Sequence, residues 1–259
     1  MFRPRIIPVL LLKDKGIVKS IRFSKHRYIG DPINAVKLYN DLRADELVFL
    51  DILATREKRL ISTEFIKSIG EEANMPFAVG GGIRTLADIR SIISGGAERV
   101  IINSEAGRNP DFISHAAETF GSSTISVCID IKRGILGKEQ VYVQNAGHRI
   151  GYTPVEFAQL MEEKGAGELI VQSVDNDGMM TGYDISVIKK IATSVSIPVV
   201  ALGGAGNLSD MMKCYLSGNA SALAAGSMFI YQGSRRGILI NYPTKEELKN
   251  FMYKVTDRE

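Results

Sequence analysis

The stretch Gly81-Gly82-Ile83-Arg84-Thr85-Leu86-Ala87-Asp88 returns later in the chain as Gly203-Gly204-Ala205-Gly206-Asn207-Leu208-Ser209-Asp210, at an offset of 122 residues. Further positions keep this offset: Glu46 and Glu168, Gly96 and Gly218, Ser104 and Gly226. Solenoid repeats are only about 20–50 residues long, so this period indicates one domain built from two fused halves. We place the halves at about 1–121 and 122–259 of a single domain that spans 1–259.

Eight short apolar runs alternate with helix-like segments along the chain. Their nearly continuous hydrophobicity is typical of parallel strands that are buried on both faces. Eight such alternations in about 250 residues predict an α/β fold of the (β/α)₈ TIM-barrel type. A doubly wound open sheet is the alternative, and the twofold repeat favours a closed barrel. The predicted strands are Arg5–Leu12, Glu46–Ile52, Phe77–Gly82, Arg99–Ser104, Thr124–Ile131, Glu168–Asp175, Pro198–Gly204 and Ala220–Phe229.

Several short motifs mark where the helices begin and end. A capping side chain precedes a proline at three places, Asp31-Pro32, Asn109-Pro110 and Thr153-Pro154. Thr85 and Asp88 have the spacing of a capping box, and Gly121 and Gly165 are typical helix stops. The longest connections, Asp14–Asp31 and Lys132–Tyr152, follow strands one and five and are expected to be active-site loops.

The composition argues against several classes of protein. The net charge of +3 and the absence of basic runs with interleaved aromatics indicate no nucleic-acid partner. No apolar stretch approaches the roughly 20 residues of a membrane span, and no signal peptide is evident, so we predict a cytoplasmic protein without membrane association. Cys128 and Cys214 predict no disulfide framework. The three histidines, His26, His115 and His148, lack metal-ligand spacing, and we predict neither a metal nor a cofactor.

The repeated glycine pairs are candidate phosphate sites, because glycine lets an anion approach backbone N–H groups at a helix start. One site would combine Gly81-Gly82 with Asn103 and Ser104. The other would combine Gly178, Gly204, Ala225 and Gly226. Two such sites facing each other across one pocket point to a substrate with a phosphate at each end. The simpler alternative is that the glycines only make tight turns between strands and helices.

Four aspartates follow predicted strands, where TIM barrels place their catalytic groups: Asp51, Asp130, Asp175 and Asp177. Asp130 is the strongest candidate for a general acid or base, although it could instead pair with Lys132. The repeat aligns Leu11 with Asp130, at a local offset of 119, so one half of the barrel has no matching acid.

Charged residues begin four of the predicted strands: Arg5, Glu46, Arg99 and Glu168. If they point inward, two cations and two anions would form a mutually neutralised ring at the bottom of the barrel. Solvated surface charges are the commoner fate of such residues. Burial would indicate a gate, because a buried ring is costly for stability alone.

The whole chain resembles the cyclase subunit of imidazole glycerol phosphate synthase, the HisF family. The motifs that carry this resemblance are Arg5-Ile6-Ile7-Pro8, Gly30-Asp31-Pro32, residues 45–52 and 79–84, Ile102-Asn103-Ser104, Ile129-Asp130, residues 165–168, Asp175-Asn176-Asp177-Gly178, Gly182-Tyr183-Asp184 and residues 203–207. The resemblance implies a half-barrel duplication with two phosphate sites for a bisphosphorylated ribonucleotide. It also implies a glutaminase partner (HisH-like) at the N-terminal barrel face, with the charged ring as an ammonia gate in which Arg99 replaces the usual Lys.

The chain departs from the family pattern in the pocket. The family uses one aspartate on strand one and one on strand five; Asp130 matches the second, and Leu11 replaces the first. Ile150 and Leu202 stand at positions where the family has hydroxyl residues, Gln172 replaces a Thr, and Gly226 replaces a Ser. The pattern resembles HisF-like paralogs that are encoded with surface-polysaccharide (lipopolysaccharide) genes and are associated with acetamidino-sugar formation, alongside an ATP-dependent amidotransferase.

Three functions follow as hypotheses. The first is a glutamine-amidotransferase-linked synthase subunit that passes ammonia to a phosphorylated or sugar ligand, with Asp130 and Lys19 as catalytic groups and Asp51, Asp175, Asp177 and Gln172 in the pocket. The second is the authentic lyase-type cyclase of histidine biosynthesis, with Asp130 sufficient or Asp14 standing in for the missing acid. The third is a non-catalytic scaffold that activates a glutaminase.

Overall fold

The computed structural model describes residues 3–134, 136–233 and 235–256, with the backbone alone described for 252–256. The barrel strands form at the predicted apolar runs. The strands are β1 (Arg5–Lys13), β2 (Gly16–Ile21), β3 (Ser24–Gly30), β4 (Leu47–Asp51), β5 (Phe77–Gly80), β6 (Arg99–Ile102), β7 (Ile125–Arg133), β8 (Glu139–Val143), β9 (His148–Arg149), β10 (Glu168–Ser173), β11 (Val199–Leu202), β12 (Ala222–Ala225), β13 (Tyr231–Gln232) and β14 (Gly237–Ile238). Six of the eight predicted strands end one to four residues earlier than predicted, β5 and β11 because the chain turns at a glycine pair, while β1 and β7 end later and continue into hairpins.

Eight of these strands close into a parallel barrel, which confirms the predicted (β/α)₈ TIM-barrel fold. Their order is β1–β4–β5–β6–β7–β10–β11–β12, and β12 pairs with β1 to complete the ring. Each predicted half contributes four consecutive strands of this ring. The location of the boundary between the halves stays a prediction.

Successive side chains of each barrel strand belong alternately to two hydrophobic clusters, because both faces of the strand are buried. Ile7 and Val9 point into the barrel lumen, where small and branched residues of seven other strands meet them. Ile6 and Leu10 point outward against the helices. The lumen is therefore a packed apolar core, and among the described residues its polar side chains lie at the two ends.

The helices alternate with the barrel strands. They are α1 (Pro32–Leu42), α2 (Thr63–Glu72), α3 (Leu86–Ser94), α4 (Ser104–Arg108), α5 (Asp111–Phe120), α6 (Pro154–Glu163), α7 (Ile185–Ala192), α8 (Leu208–Gly218) and α9 (Lys245–Thr256). Three of them, α1, α3 and α6, begin at the motifs that predict them. Within the described ranges, no helix combines the length and the apolar character that crossing a membrane requires.

The capping signals are confirmed except for one. Asp31 caps α1, and Thr85 and Thr153 form reciprocal capping boxes with Asp88 and Glu156. Gly121 and Gly165 follow α5 and α6 with positive φ. The prediction for Asn109 is wrong: Pro110 occupies the cap position of α5 and no side chain caps it. Asn109 already ends α4, where its backbone N–H bonds to the carbonyl oxygen of Glu105, so its side chain does not reach α5.

The two longest connections are ordered as β-hairpins rather than as plain loops. The connection after β1 forms β2 and β3, and the connection after β7 forms β8 and β9. Both hairpins extend antiparallel from barrel strands past their carboxyl ends. They raise walls around the end of the barrel where the repeat places the glycine pairs.

Candidate functional site

The carboxyl ends of the barrel strands surround a cavity of about 650 Å³. Its floor includes Leu11, Leu50, Asp130 and Gln172, and its walls include residues of both hairpins and of the β4–α2 connection. A cavity of this size falls within the range of small-molecule sites, about 300–1,000 Å³. We therefore take it as the candidate active site and call it the main cavity.

Asp130 is the buried acid of the main cavity, with only 5% of its surface exposed. Burial raises the pKa of its carboxyl to about 7, and the Cys128 thiol and Asn103 amide nearby oppose the rise. The Cys128 thiol donates to Oδ1 of Asp130 at 3.6 Å. A carboxyl with this pKa exchanges protons readily near neutral pH, which is what a general acid or base needs.

The other three aspartates have local bonding partners. Asp51 lines the main cavity, but it pairs with Arg59 at 2.6 Å and accepts from two backbone N–H groups of the β4–α2 connection. Asp177 fixes the first hairpin by accepting from the Ser20 hydroxyl at 2.6 Å and from the Phe23 N–H at 3.2 Å. Burial raises the pKa of Asp177.

Asp175 is the sequence-predicted pocket residue that lies elsewhere. Its side chain accepts a hydrogen bond from the backbone N–H of Arg133 at 2.8 Å. It is not among the described residues that line the main cavity or a second, smaller cavity beside it. Asp14 is exposed in the β1–β2 turn and likewise lines neither cavity. The structure thus gives no support to Asp14 as a substitute for the missing acid.

The first predicted phosphate set opens onto the main cavity. Gly81, Gly82, Asn103 and Ser104 all line it. A Cβ on Gly82 would lie 1.9 Å from the carbonyl oxygen of Arg59, so this glycine is required by packing whether or not a phosphate binds. The phosphate-binding and the turn-making interpretations of Gly82 are therefore compatible.

The second predicted set opens onto a separate, much smaller cavity of about 30 Å³, which we call the minor cavity. Gly178, Gly204, Ala225 and Gly226 line it. The repeat predicts one pocket that both sets share, and in the structure they face different cavities. A Cβ on Gly204 would lie 2.1 Å from the carbonyl oxygen of Gly182, so packing requires glycine here too.

Lys19 of β2 reaches into the minor cavity and is 4% exposed. Its amine donates to the carbonyl oxygen of Val9 at 2.5 Å. Burial lowers its pKa to about 8, and the nearby charge of Asp177 opposes this. Lys19 and Asp130 are thus two buried ionisable groups, each on one side of a wall that contains Gln172.

The four predicted ring residues meet at the opposite end of the barrel. Arg5 pairs with Glu46 at 2.5 Å and with Glu168, while Arg99 lies 3.2 Å from Glu46 and 3.8 Å from Glu168. The two carboxylates are buried, with side chains 3% and 7% exposed. Desolvation raises the pKa of Glu46, and both arginines oppose the rise. The carboxylates are therefore a buried, ion-paired set and not solvated surface charges.

A narrow apolar lumen lies between this ring and the main cavity. A void of about 10 Å³, close to the room that one water needs, touches Glu46, Ser126 and Glu168 at the ring end. At its other end it touches Leu50 and Cys128, which also line the main cavity. The residues around this one void thus extend from the charged ring to the floor of the main cavity.

The positions where the chain departs from the family pattern lie in different surroundings. Leu11 and Gln172 line both cavities, and Leu202 lines the minor cavity and the lumen void. Ile150 instead packs beside Gly107 and Val143 in the outer hydrophobic core. Leu11 and Gln172 therefore lie between the two candidate phosphate sets.

The sequence analysis missed several residues at the mouth of the main cavity. Gln144 and Asn145, at the tip of the second hairpin, cross to other elements: the Gln144 N–H donates to Ser104 Oγ at 3.3 Å, and the Asn145 amide donates to the Ile52 carbonyl at 2.6 Å. Phe23 and His26 of the first hairpin line the same cavity. Only the length of the two connections pointed to them.

The fold and these sites define a class: a duplicated (β/α)₈ barrel with an ion-paired ring at one end and a polar pocket at the other. The chain belongs to the family described as histidine biosynthesis protein, whose model matches residues 5–235.

Named relatives place the chain more closely, as a HisF-like member of the imidazole glycerol phosphate synthase group. It is 40% identical over 254 residues to the Leptospira interrogans protein "Putative imidazole glycerol phosphate synthase subunit HisF", covering 98% of this chain and 100% of that protein. It is 40% identical over 248 residues to the Pseudomonas aeruginosa protein "Putative imidazole glycerol phosphate synthase subunit hisF2", covering 96% and 99%. It is 42% identical over 231 residues to "Imidazole glycerol phosphate synthase subunit HisF" of Alkaliphilus metalliredigens, covering 89% and 92%.

Proposed function

We propose that this chain is a synthase subunit that receives ammonia from a glutaminase partner and supports nitrogen transfer to a phosphorylated or sugar ligand. The observation that carries the proposal is the buried ring of Arg5, Glu46, Arg99 and Glu168 at one end of the apolar lumen, with the cavity of Asp130 at the other end. The glutaminase would dock at the ring end of the barrel. The ligand would enter from the hairpin end.

The lumen favours neutral ammonia over ammonium, because an unpaired charge is costly to bury among apolar side chains. The ring admits the molecule only if the pairs around Glu46 and Glu168 open. At the far end, Asp130 would take up or return the proton that nitrogen transfer moves, since its pKa of about 7 leaves both protonation states accessible. Lys19, with a pKa of about 8, is the second group suited to this work.

The ligand would be held at the first phosphate set, where Gly81, Gly82, Asn103 and Ser104 face the main cavity. The resemblance to the polysaccharide-associated branch supports an amidinated sugar as the end product, with an ATP-dependent amidotransferase as a further partner. The replacement of the strand-one acid by Leu11 supports a chemistry other than the two-acid ring closure of the cyclase.

Glutamine hydrolysis by the partner glutaminase tests the docking half of this proposal. Mixing the two proteins should raise the rate of hydrolysis. Glu98→Lys, an exposed change beside the ring strand β6, should reduce the stimulation, and the matched control Lys138→Glu at the hairpin end should preserve it. Absence of a complex and of stimulation would refute the proposal, as would loss of stimulation in the control alone.

A second function is the authentic cyclase of histidine biosynthesis, which the family and the names of the relatives favour. Complementation of a histidine auxotroph separates the two functions. Growth that depends on Asp130 would establish the cyclase. If Asp130→Asn changes no product-forming rate while the chain still stimulates the glutaminase, the barrel acts only as a scaffold.

A further inference from the structure

Strand β7 carries a row of three polar side chains into the barrel. Ser126, Cys128 and Asp130 are two residues apart and share the inward face of the strand, since successive side chains point to opposite faces. Among the described residues around the lumen void, the other side chains are apolar apart from the two ring carboxylates. Ser126 lies at the ring end, where its hydroxyl donates to Glu168 at 3.2 Å. Cys128 follows between Ser126 and the acid of the main cavity.

The thiol of Cys128 lies between two hydrogen-bond acceptors. It is 3.6 Å from Oδ1 of Asp130 and 3.8 Å from Oε1 of Gln172. A thiol is a weak donor with a single proton, so it serves one of these oxygens at a time. The backbone at Cys128 is fixed by Asn103, whose amide donates to the Cys128 carbonyl oxygen at 3.0 Å. The thiol is therefore held where the lumen void meets the main cavity, and it lines both.

The side chain of Gln172 gives an independent sign of a ligand at this place. Gln172 is 5% exposed and lines the main cavity. Its oxygen faces the thiol, and its amide nitrogen has no hydrogen-bond acceptor among the described residues. Such a donor needs an acceptor from water or from a ligand. Gln172 pairs with Asp130 in the register of β7 and β10, so the free donor and the acid lie side by side on the cavity floor.

The ionisable groups around Asp130 come from several elements. Asp177, in the connection after β10, raises the pKa of Asp130, while the Cys128 thiol and the Asn103 amide oppose the larger effect of burial. The other ionisable side chains that line the main cavity are His26, Asp51, Arg56 and Lys58. Burial raises the pKa of the Cys128 thiol well above its ordinary value, so the thiol keeps its proton and acts as a donor near neutral pH.

We propose that Cys128 is a positioning residue, whose thiol holds the Asp130 carboxylate and the Gln172 amide in one arrangement at the exit of the lumen. This deepens the proposed function, and it rests on the role given there to Asp130. Because the thiol faces one oxygen of each side chain, the second Asp130 oxygen and the Gln172 amide nitrogen stay available to the ligand. The floor thus suits a ligand that has a hydroxyl or carbonyl oxygen beside the atom that receives nitrogen.

A weak donor is suited to this place, because it orients the carboxylate without strongly favouring its charged form. Asp130 can then still take up a proton near neutral pH. A stronger donor would orient the carboxylate equally well but would make it a poorer base. The effect of Cys128 on Asp130 therefore distinguishes positioning by the thiol from simple filling of space.

Titration of the Asp130 carboxyl carbon by nuclear magnetic resonance, in the whole protein, tests this role. Cys128→Ala removes the donor and should raise the pKa of Asp130 by about 0.5–1 pH unit, the equivalent of one weak hydrogen bond. Cys128→Ser restores a donor and should return the pKa to the wild-type value or below it. Cys214→Ala, at the other buried thiol, lies in the outer hydrophobic core and should leave the pKa unchanged.

Two results would overturn the inference. An unchanged pKa of Asp130 in Cys128→Ala would show that the thiol only fills space. Equal rises in Cys128→Ala and Cys128→Ser, or a rise in Cys214→Ala as well, would show that looser packing and not the lost donor moves the pKa. The stimulation of the glutaminase is measured separately, so a failure of this inference is distinguishable from a failure of the ammonia-transfer proposal.

Discussion

At the scale of single residues, the chemistry of the site depends on two buried ionisable groups and one missing side chain. Asp130 and Lys19 are both removed from water, and burial shifts their pKa values toward neutrality from opposite directions. Gly226 has an ordinary negative φ of −105°, so its backbone does not require glycine. Any other side chain at this position would instead have to push aside the Lys19 amine, which lies 2.6 Å from the place of an added Cβ.

A double-mutant cycle tests the fit between Lys19 and Gly226. Gly226→Ala should destabilise the wild type by about 1 kcal/mol, because the Lys19 amine has to move away from the new methyl group and give up its hydrogen bond to the Val9 carbonyl. In a Lys19→Ala background the same change should cost under about 0.5 kcal/mol. Gly151→Ala, with no atom within 4 Å of its added Cβ, is the control. Equal costs in the two backgrounds, measured by urea unfolding, would show that the residues do not compete for space.

Asp130 should make stability depend on pH. Its folded pKa of about 7 lies above the unfolded value of about 3.9, so its stabilising contribution is full below about pH 4 and is lost as pH rises through 7. Wild type should therefore lose about 2–3 kcal/mol relative to Asp130→Asn between pH 5 and pH 8. Asp41→Asn, at an exposed carboxylate of α1, is the surface control for this comparison. Parallel pH profiles for wild type and Asp130→Asn would contradict the assigned pKa.

At the scale of elements, the two hairpins and the ring of charges control access to the barrel from opposite ends. The second hairpin closes over the main cavity through its tip, where Gln144, Asn145 and Ala146 all adopt positive φ. The bonds of this tip to Ser104 and to the Ile52 carbonyl connect the hairpin to the first phosphate set.

Removing the amide of Asn145 should loosen this hairpin without unfolding the barrel. Asn145→Ala loses one hydrogen bond worth about 0.5–1.5 kcal/mol, so local opening should become about 2–12 times more frequent. Hydrogen exchange should accelerate by that factor in residues 139–149 and stay constant in the barrel strands. Lys138→Ala, at the exposed base of the hairpin, is the matched control, and faster exchange throughout the chain would point to general destabilisation instead.

The ring should behave as a buried network in unfolding experiments. Glu46→Ala leaves Arg5 and Arg99 without one of their carboxylates and should cost about 3–5 kcal/mol. The surface pair of Asp111 and Lys164 is the comparison, where Asp111→Ala should cost far less than Glu46→Ala because water solvates the remaining charge. Similar costs for the two variants in urea unfolding would mean that the ring is solvated in the free protein.

At the scale of the whole molecule, the barrel could be predicted because strands that are buried on both faces and helices that begin at caps leave patterns in the local sequence. Closure of the barrel buries all eight strands, so the fold agrees with those local patterns. The eight strands, the caps of α1, α3 and α6, and the meeting of the four ring residues all followed from pattern and repeat. The cap at Asn109 failed because that residue also ends α4. The burial of Lys19 beside the second glycine set could not be predicted, because it arises from the way β2 folds back, a tertiary contact with no sequence period.

Turnover of the bisphosphorylated ribonucleotide of the HisF family, by this protein alone at high ammonium concentration, tests the central claim most directly. Free ammonia bypasses the glutaminase, so the rate reports only on the pocket. Because Leu11 replaces one acid, we predict turnover at least about 10²-fold below that of an authentic cyclase assayed beside it. Turnover equal to the authentic enzyme would mean that Asp130 alone suffices, and that the protein makes the histidine precursor.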